Sequence, residues 1–103
     1  MTLHLIHKHF GENHLNEVID YMKKNGAPTL KAVDMGEDEY VILEGCHRAR
    51  AAEILGLIPV IDEIEYSEEV LVCDIVDDYD NYDRTIADLC DSVYGKCFID
   101  FEN

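Results

Sequence analysis

The sequence predicts one small domain of the α+β class, a mixed sheet packed with helices and followed by a C-terminal helix. Three observations predict it. Apolar residues recur at helical spacing in three separate stretches, Leu15 to Met22, Ala49 to Leu55 and Ile86 to Val93. Short β-rich runs bounded by Gly, Pro and acidic turn residues lie between and after them. The chain has 103 residues, 48% of them apolar, enough for one core and too few for two.

From Leu3 to Phe10 no single period holds, and the segment reads as a short strand or extended arm. Asn13 or Asn16 then caps a helix over about residues 14 to 25, with Leu15, Val18, Ile19 and Met22 as its stripe. Lys23, Lys24, Asn25 and Gly26 close it, cations facing the negative end of the helix dipole. Ala27-Pro28 breaks the pattern. Leu30 to Met35 and Tyr40 to Leu43 read as a hairpin around a Gly36-Glu37-Asp38-Glu39 turn. The second helix follows at once, its face formed by Ala49, Ala52 and Leu55 and widened by Ala51 and Ile54, and Gly56 ends it. Its alanines let it lie close to the sheet. Val60 to Tyr66 alternates well enough for a strand with one wet face, and Val70 to Val76 is a further β-rich run. The polar loop 77–83 leads to Asp83 as N-cap of a third helix over about 84 to 94, after which 96–101 is a last strand or a tail on the core. The core is expected over about residues 1–76, with 77–103 as an acidic helical extension.

Charge is unevenly placed. Residues 1–52 hold six Lys and Arg against eight Asp and Glu, whereas residues 53–103 hold two against fifteen, so nearly all of the formal charge of -15 sits in the second half. Such a surface repels a phosphate backbone, which disfavours direct nucleic-acid binding, and it suits solubility or docking of a basic protein partner. No apolar run approaches the roughly 20 residues needed to span a bilayer, and nothing resembles a signal peptide. Cys46, Cys73, Cys90 and Cys97 form no C-x-x-C pair, so neither a zinc site nor a disulfide framework is expected, and a reducing cytoplasm is.

Most of the chemistry gathers at one turn. In VILEGCHRARAAEILG, Val41 to Gly56, a buried strand runs into Gly45-Cys46-His47-Arg48 and then directly into a helix. A helix opening there presents unpaired N–H groups and the positive end of its dipole, and anions bind at such ends. Gly45 lets an anion approach the backbone, Arg48 offers a planar fork for phosphate oxygens, and His47 offers one more donor. The alternative reading pairs Arg48 with Glu44 or Glu53 and leaves Gly45 only to turn the chain.

The segment Ala27 to Tyr66, above all EYVILEGCHRARAAEILGLIPV from Glu39 to Val60, resembles the ParB/sulfiredoxin superfamily, in which a strand, a Gly-x-His-Arg-type turn and an Ala-rich helix follow in this order. The resemblance covers about residues 14 to 66. It implies a small α+β domain with a nucleotide-phosphate pocket, for ATP in sulfiredoxins, CTP in partition ParB proteins, or ADP or ATP in free-serine kinases, each with magnesium. It implies Gly45, Cys46, His47 and Arg48 as the phosphate cradle. The helix-one positions that supply Lys, Ser and Thr to the phosphates in sulfiredoxins fall here on His14, Glu17 and Tyr21. A sulfiredoxin-type sulfinic acid reductase would use Cys46 as its thiol, and a thiol beside His47 and Arg48 at a helix N-terminus is expected to be more thiolate-like than a free one. In a kinase, Glu17 or Glu44 would be the available carboxylate. A full partition ParB would also need a helix-turn-helix and a dimerisation domain, and neither is expected from these residues. A further alternative is an acidic, non-catalytic interaction or DNA-mimic module.

Other groupings carry less. His7 and His9 would share a face of an extended arm beside His4, but two ligands make no metal site, and the three read as solvated histidines. Asp77, Asp78, Asp80 and Asp83 lack the Gly and Glu positions of a calcium loop. Cys73, Cys90 and Cys97 read as buried small hydrophobes, and Tyr79, Tyr82 and Tyr94 as a candidate docking surface.

Overall fold

The computed structural model describes residues 1–6, 12–76 and 83–101. Five strands and three α-helices alternate as β1 (Thr2–His4), α1 (Glu12–Asn25), β2 (Thr29–Gly36), β3 (Glu39–Ile42), α2 (Cys46–Leu55), β4 (Val60–Ile64), α3 (Ile86–Val93) and β5 (Phe98–Asp100), with a 3-10 turn at Val72–Asp74 before α3. The strands form one mixed sheet in the order β4-β2-β3-β1-β5, an α+β arrangement. β2 and β3 make the antiparallel hairpin, β1 runs parallel to β3, β4 runs parallel to β2, and β5 closes the other edge antiparallel to β1. Glu37 and Asp38 both take positive φ, 55° and 63°, the pairing of a tight hairpin turn whose twist matches that of the strands.

Side chains alternate across the sheet, so it has two packed faces. On one, Leu3, Leu30, Ile42 and Ile99 meet Leu15 and Met22 of α1 and Ala49, Ala51 and Ala52 of α2. On the other, Val33, Val41 and Leu43 meet Val72 and Val76 and the α3 residues Ile86, Leu89, Cys90 and Val93. The three alanines of α2 are completely buried, and their small side chains bring this helix and its N-terminus close against the sheet. Residues 83–101, expected as an extension beyond a core ending near 76, contribute α3 to the second cluster and β5 to the sheet.

Several local expectations are corrected. Val70 to Val76 is not a strand. Leu71 makes a single bridge to Thr85, and the chain then coils, with Val72 and Val76 four apart on the buried side and the Asp74 carboxylate accepting from the Leu71 N–H at 3.3 Å. Four-residue spacing of the buried valines outweighs β propensity here. Helix α1 already includes Glu12, so Asn13 and Asn16 lie inside it and do not cap it. Thr85 caps α3 in place of Asp83, its hydroxyl accepting from the Asp88 N–H at 3.1 Å. His4 is 2% exposed, not solvated. His7, His9, Asp77, Asp78, Tyr79, Asp80 and Tyr82 lie outside the described residues. Among the described residues no helix is long and apolar enough to cross a membrane.

Candidate functional site

The turn after β3 is built around a residue that only glycine suits. Gly45 has φ 93°, a backbone region that side-chain-bearing L residues avoid, and it opens α2 without a side-chain cap. A Cβ placed there would lie 2.8 Å from both Arg48 Nη2 and Leu30 Cδ2. The absence of that atom lets the Arg48 side chain fold back across the mouth of its own helix, where its Nη1 donates to the Thr29 carbonyl at 3.0 Å. Arg48 is therefore tied to the first residue of β2, and the expected alternative of a surface pair with Glu44 or Glu53 is not what holds it. The Gly45 carbonyl accepts the first helical bond, from Ala49 N–H at 2.9 Å.

Beside the guanidinium lies a cavity of about 300 Å³. Arg48 forms one wall, Tyr21 and Asn25 from the end of α1 another, and Pro28 and Thr29 the rim leading into β2. Tyr21 lines this space and is 69% exposed. Asn25 is fixed by its own amide, which donates to the Tyr21 carbonyl at 2.8 Å. The wall is thus a cation, an exposed aromatic ring and an amide, a set that suits a ligand with one anionic end and one flat face.

The start of α1 meets the same turn from the other side. The His14 and His47 rings lie edge to face with centroids 4.5 Å apart. His14 Nδ1 is 4.0 Å from a carboxylate oxygen of Glu17, which points largely into solvent. Of the residues expected at the site, Gly45, His47, Arg48 and His14 come together, Glu17 joins through His14, Tyr21 stands at the cavity, and Cys46 turns into the core. Helix α1 lies against the turn, and the residues at the three positions named for it are an imidazole, a carboxylate and a phenol. Asn25 and the Thr29 carbonyl were missed. Asn25 reads in sequence as a helix stop, and a backbone carbonyl leaves no mark in sequence at all.

Cys46 takes a different place from its neighbours. It is 8% exposed and belongs to the core cluster with Leu15, Leu30 and Ala49, the setting of a thiol that acts as a small apolar filler. Among the described residues no group of three or more His, Cys, Asp and Glu side chains is gathered to hold a metal.

A second polar cluster lies across the sheet. His4 Nδ1 accepts the Gly95 N–H at 3.0 Å, which leaves the ring proton on Nε2, donated to Glu39 at 3.0 Å. The Tyr94 hydroxyl donates to the other oxygen of Glu39 at 2.6 Å, and its ring stacks on His4 with centroids 4.2 Å apart. The Tyr94 hydroxyl, followed by His4, holds the Glu39 carboxyl below its ordinary range, and the Glu39 carboxylate pushes the Tyr94 phenol up. Both ring nitrogens of His4 are engaged, so this cluster ties β1 and β3 to the end of α3 and offers no free base.

No protein-family model, curated protein or solved structure matches this chain.

Proposed function

We propose that this chain is a nucleotide-phosphate-binding domain of the ParB/sulfiredoxin type, taking ATP, ADP or CTP between the mouth of α2 and the face of α1. One observation carries the reading: the Arg48 guanidinium folds over Gly45 at the helix N-terminus and walls a cavity shared with α1. The order strand, left-handed glycine, His-Arg and Ala-rich helix agrees with the resemblance in the sequence, and so does the placement of α1 against the turn.

The residues fit a phosphate at Arg48. Its fork would hold phosphate oxygens, the α2 dipole would favour their charge, and Tyr21 offers a face on which a base can stack. His14 and His47 add imidazole donors on the far side of the turn. Glu17 sets a limit, because its exposed carboxylate beside His14 repels a second phosphate unless a cation lies between them. Magnesium in this reading arrives on the nucleotide and screens that repulsion. A sulfiredoxin-type thiol relay would need Cys46 to reach a partner's sulfur, and its burial in the core leaves that chemistry without an approach.

A thermal-shift panel of ATP, ADP, CTP and GTP with magnesium tests the proposal. A nucleotide at a hundredfold excess over its Kd adds about 2.7 kcal/mol to the folded state, or roughly 13 °C in Tm for a chain of this size. Arg48→Ala should lose the shift while its own melting temperature stays close to that of the parent chain. No shift with any nucleotide, or a full shift in Arg48→Ala, would overturn the reading.

A further inference from the structure

The sheet ends at β4. β2 lies on one side of it and no strand among the described residues on the other, and Val60, Asp62 and Glu63 are exposed. The Val60 N–H donates inward to the Pro28 carbonyl at 2.8 Å. Successive residues of a strand turn their amides to opposite sides, so Asp62 and Ile64 also face β2, while Ile61 and Glu63 turn theirs outward. Such an edge is a template for another strand. Its charges select the partner. A second copy laid along β4 would set carboxylates against carboxylates, whereas a basic strand would meet opposite charge at Asp62 and Glu63.

Past the end of β4 the edge opens into a groove of about 310 Å³. Ile64, Val70 and Ile75 give it an apolar floor, and Glu63 and Glu65 stand on its rim beside Tyr66. The Tyr66 hydroxyl donates to Asp91 at 3.1 Å, and the Ser67 hydroxyl oxygen accepts from the Glu69 and Val70 N–H groups at 3.1 and 3.0 Å. The groove is therefore already shaped, which lowers the cost of ordering it around a ligand. It lies in the half of the chain that holds fifteen acidic residues against two basic ones.

We propose that β4 and this groove form a docking site for an extended basic peptide, which adds to the sheet as an edge strand, seats an aliphatic side chain over Ile64, Val70 and Ile75, and sets Lys or Arg against Glu63 and Glu65. Here an open edge, an apolar floor and an acidic rim lie side by side. The site is separate from the Arg48 cavity, so either can fail alone.

The probe is a blocked peptide of alternating Lys and Val, titrated into the full ¹⁵N-labelled chain. Saturable amide shifts confined to residues 60–67, 70 and 75 are expected, with affinity falling about tenfold or more between low salt and about 0.5 M salt. The same peptide N-methylated at alternate residues, unable to pair as a strand, should not bind. Glu63→Gln should weaken binding several-fold, and Glu63→Pro, which also removes an outward N–H, should abolish it. Absence of shifts, shifts spread evenly over the acidic surface, or equal binding of the N-methylated peptide would each overturn the proposal. So would sedimentation showing that the chain pairs with itself along this edge. Should Glu63→Pro fail to fold, the N-methylated peptide decides the matter on the unaltered protein.

Discussion

The Arg48 guanidinium occupies the space that a side chain at Gly45 would need: a Cβ at position 45 would stand 2.8 Å from Arg48 Nη2 and 3.1 Å from Arg48 Nε. The glycine is therefore required twice, by its φ of 93° and by the arginine folded over it. Leu30 Cδ2, also at 2.8 Å, belongs to the core and has less freedom to move.

Gly45→Ala should consequently lower stability by at least about 1–2 kcal/mol from the left-handed backbone alone, or roughly 5–10 °C in Tm for a domain of this length. It should also push Arg48 off the Thr29 carbonyl and reduce any nucleotide-induced shift. Calorimetry with and without nucleotide reads both effects. An unchanged Tm would mean that the turn does not hold the conformation described.

His4→Phe preserves an aromatic ring against Tyr94 but removes the acceptor for the Gly95 N–H and the donor to Glu39. Leaving such groups unsatisfied costs about 1–3 kcal/mol, and urea denaturation should show a loss of that size. A variant as stable as the parent would show that the stack, not the hydrogen bonds, fastens this corner.

Glu39 gives the same corner an acid dependence. Its carboxyl is held below the ordinary 4.5 in the folded chain, chiefly by Tyr94 and next by His4. A depressed acid favours the folded state above its unfolded value, and that contribution disappears as pH falls through the lower folded value. The stability difference between the parent and Glu39→Gln should therefore be constant above the ordinary carboxylate range and shrink as pH falls below 4.5. A difference that persists unchanged into acid would contradict the contacts drawn here.

Burial pushes the Cys90 thiol up to about 12, with the Asp91 charge adding to it. The neutral thiol is the folded form, so its contribution to stability holds at neutral pH and is lost only as pH rises from the ordinary 9.0 through that higher value. Cys90, fully buried, and Cys46, nearly so, should resist iodoacetamide at about pH 8, whereas the half-buried Cys73 and Cys97 react first. Mass mapping of the alkylated chain reads the order. Cys90 labelling as fast as Cys73 would show that α3 does not close over the sheet.

The elements that were legible in the sequence are those whose apolar spacing is regular. Leu15 and Met22 of α1 and Ala49, Ala51 and Ala52 of α2 are expected on the apolar faces and are buried, whereas Ile54, expected to widen the α2 face, is exposed. The Gly45-to-Arg48 turn was legible because its residue types are unusual for a plain loop. The 3-10 turn at Val72–Asp74 was not, since Val70, Leu71, Val72 and Val76 carry β propensity while tertiary packing against α3 sets their conformation. His4 was misread because its partners, Glu39, Tyr94 and Gly95, lie 35, 90 and 91 residues away, and no local pattern announces them. Cys46 shows a further limit: its neighbours in sequence suggest reactivity, and its neighbours in space are the core.

The first strand finds its outer companion only in the last. Leu3 pairs with Ile99, and the Thr2 hydroxyl donates to Asp100 across a separation of 98 residues. Among these elements β1 is synthesised first; β3, α1 and α2 can cover Leu3 and Leu5 early, but the outer hydrogen-bonding edge of β1 stays unpaired until β5 has emerged.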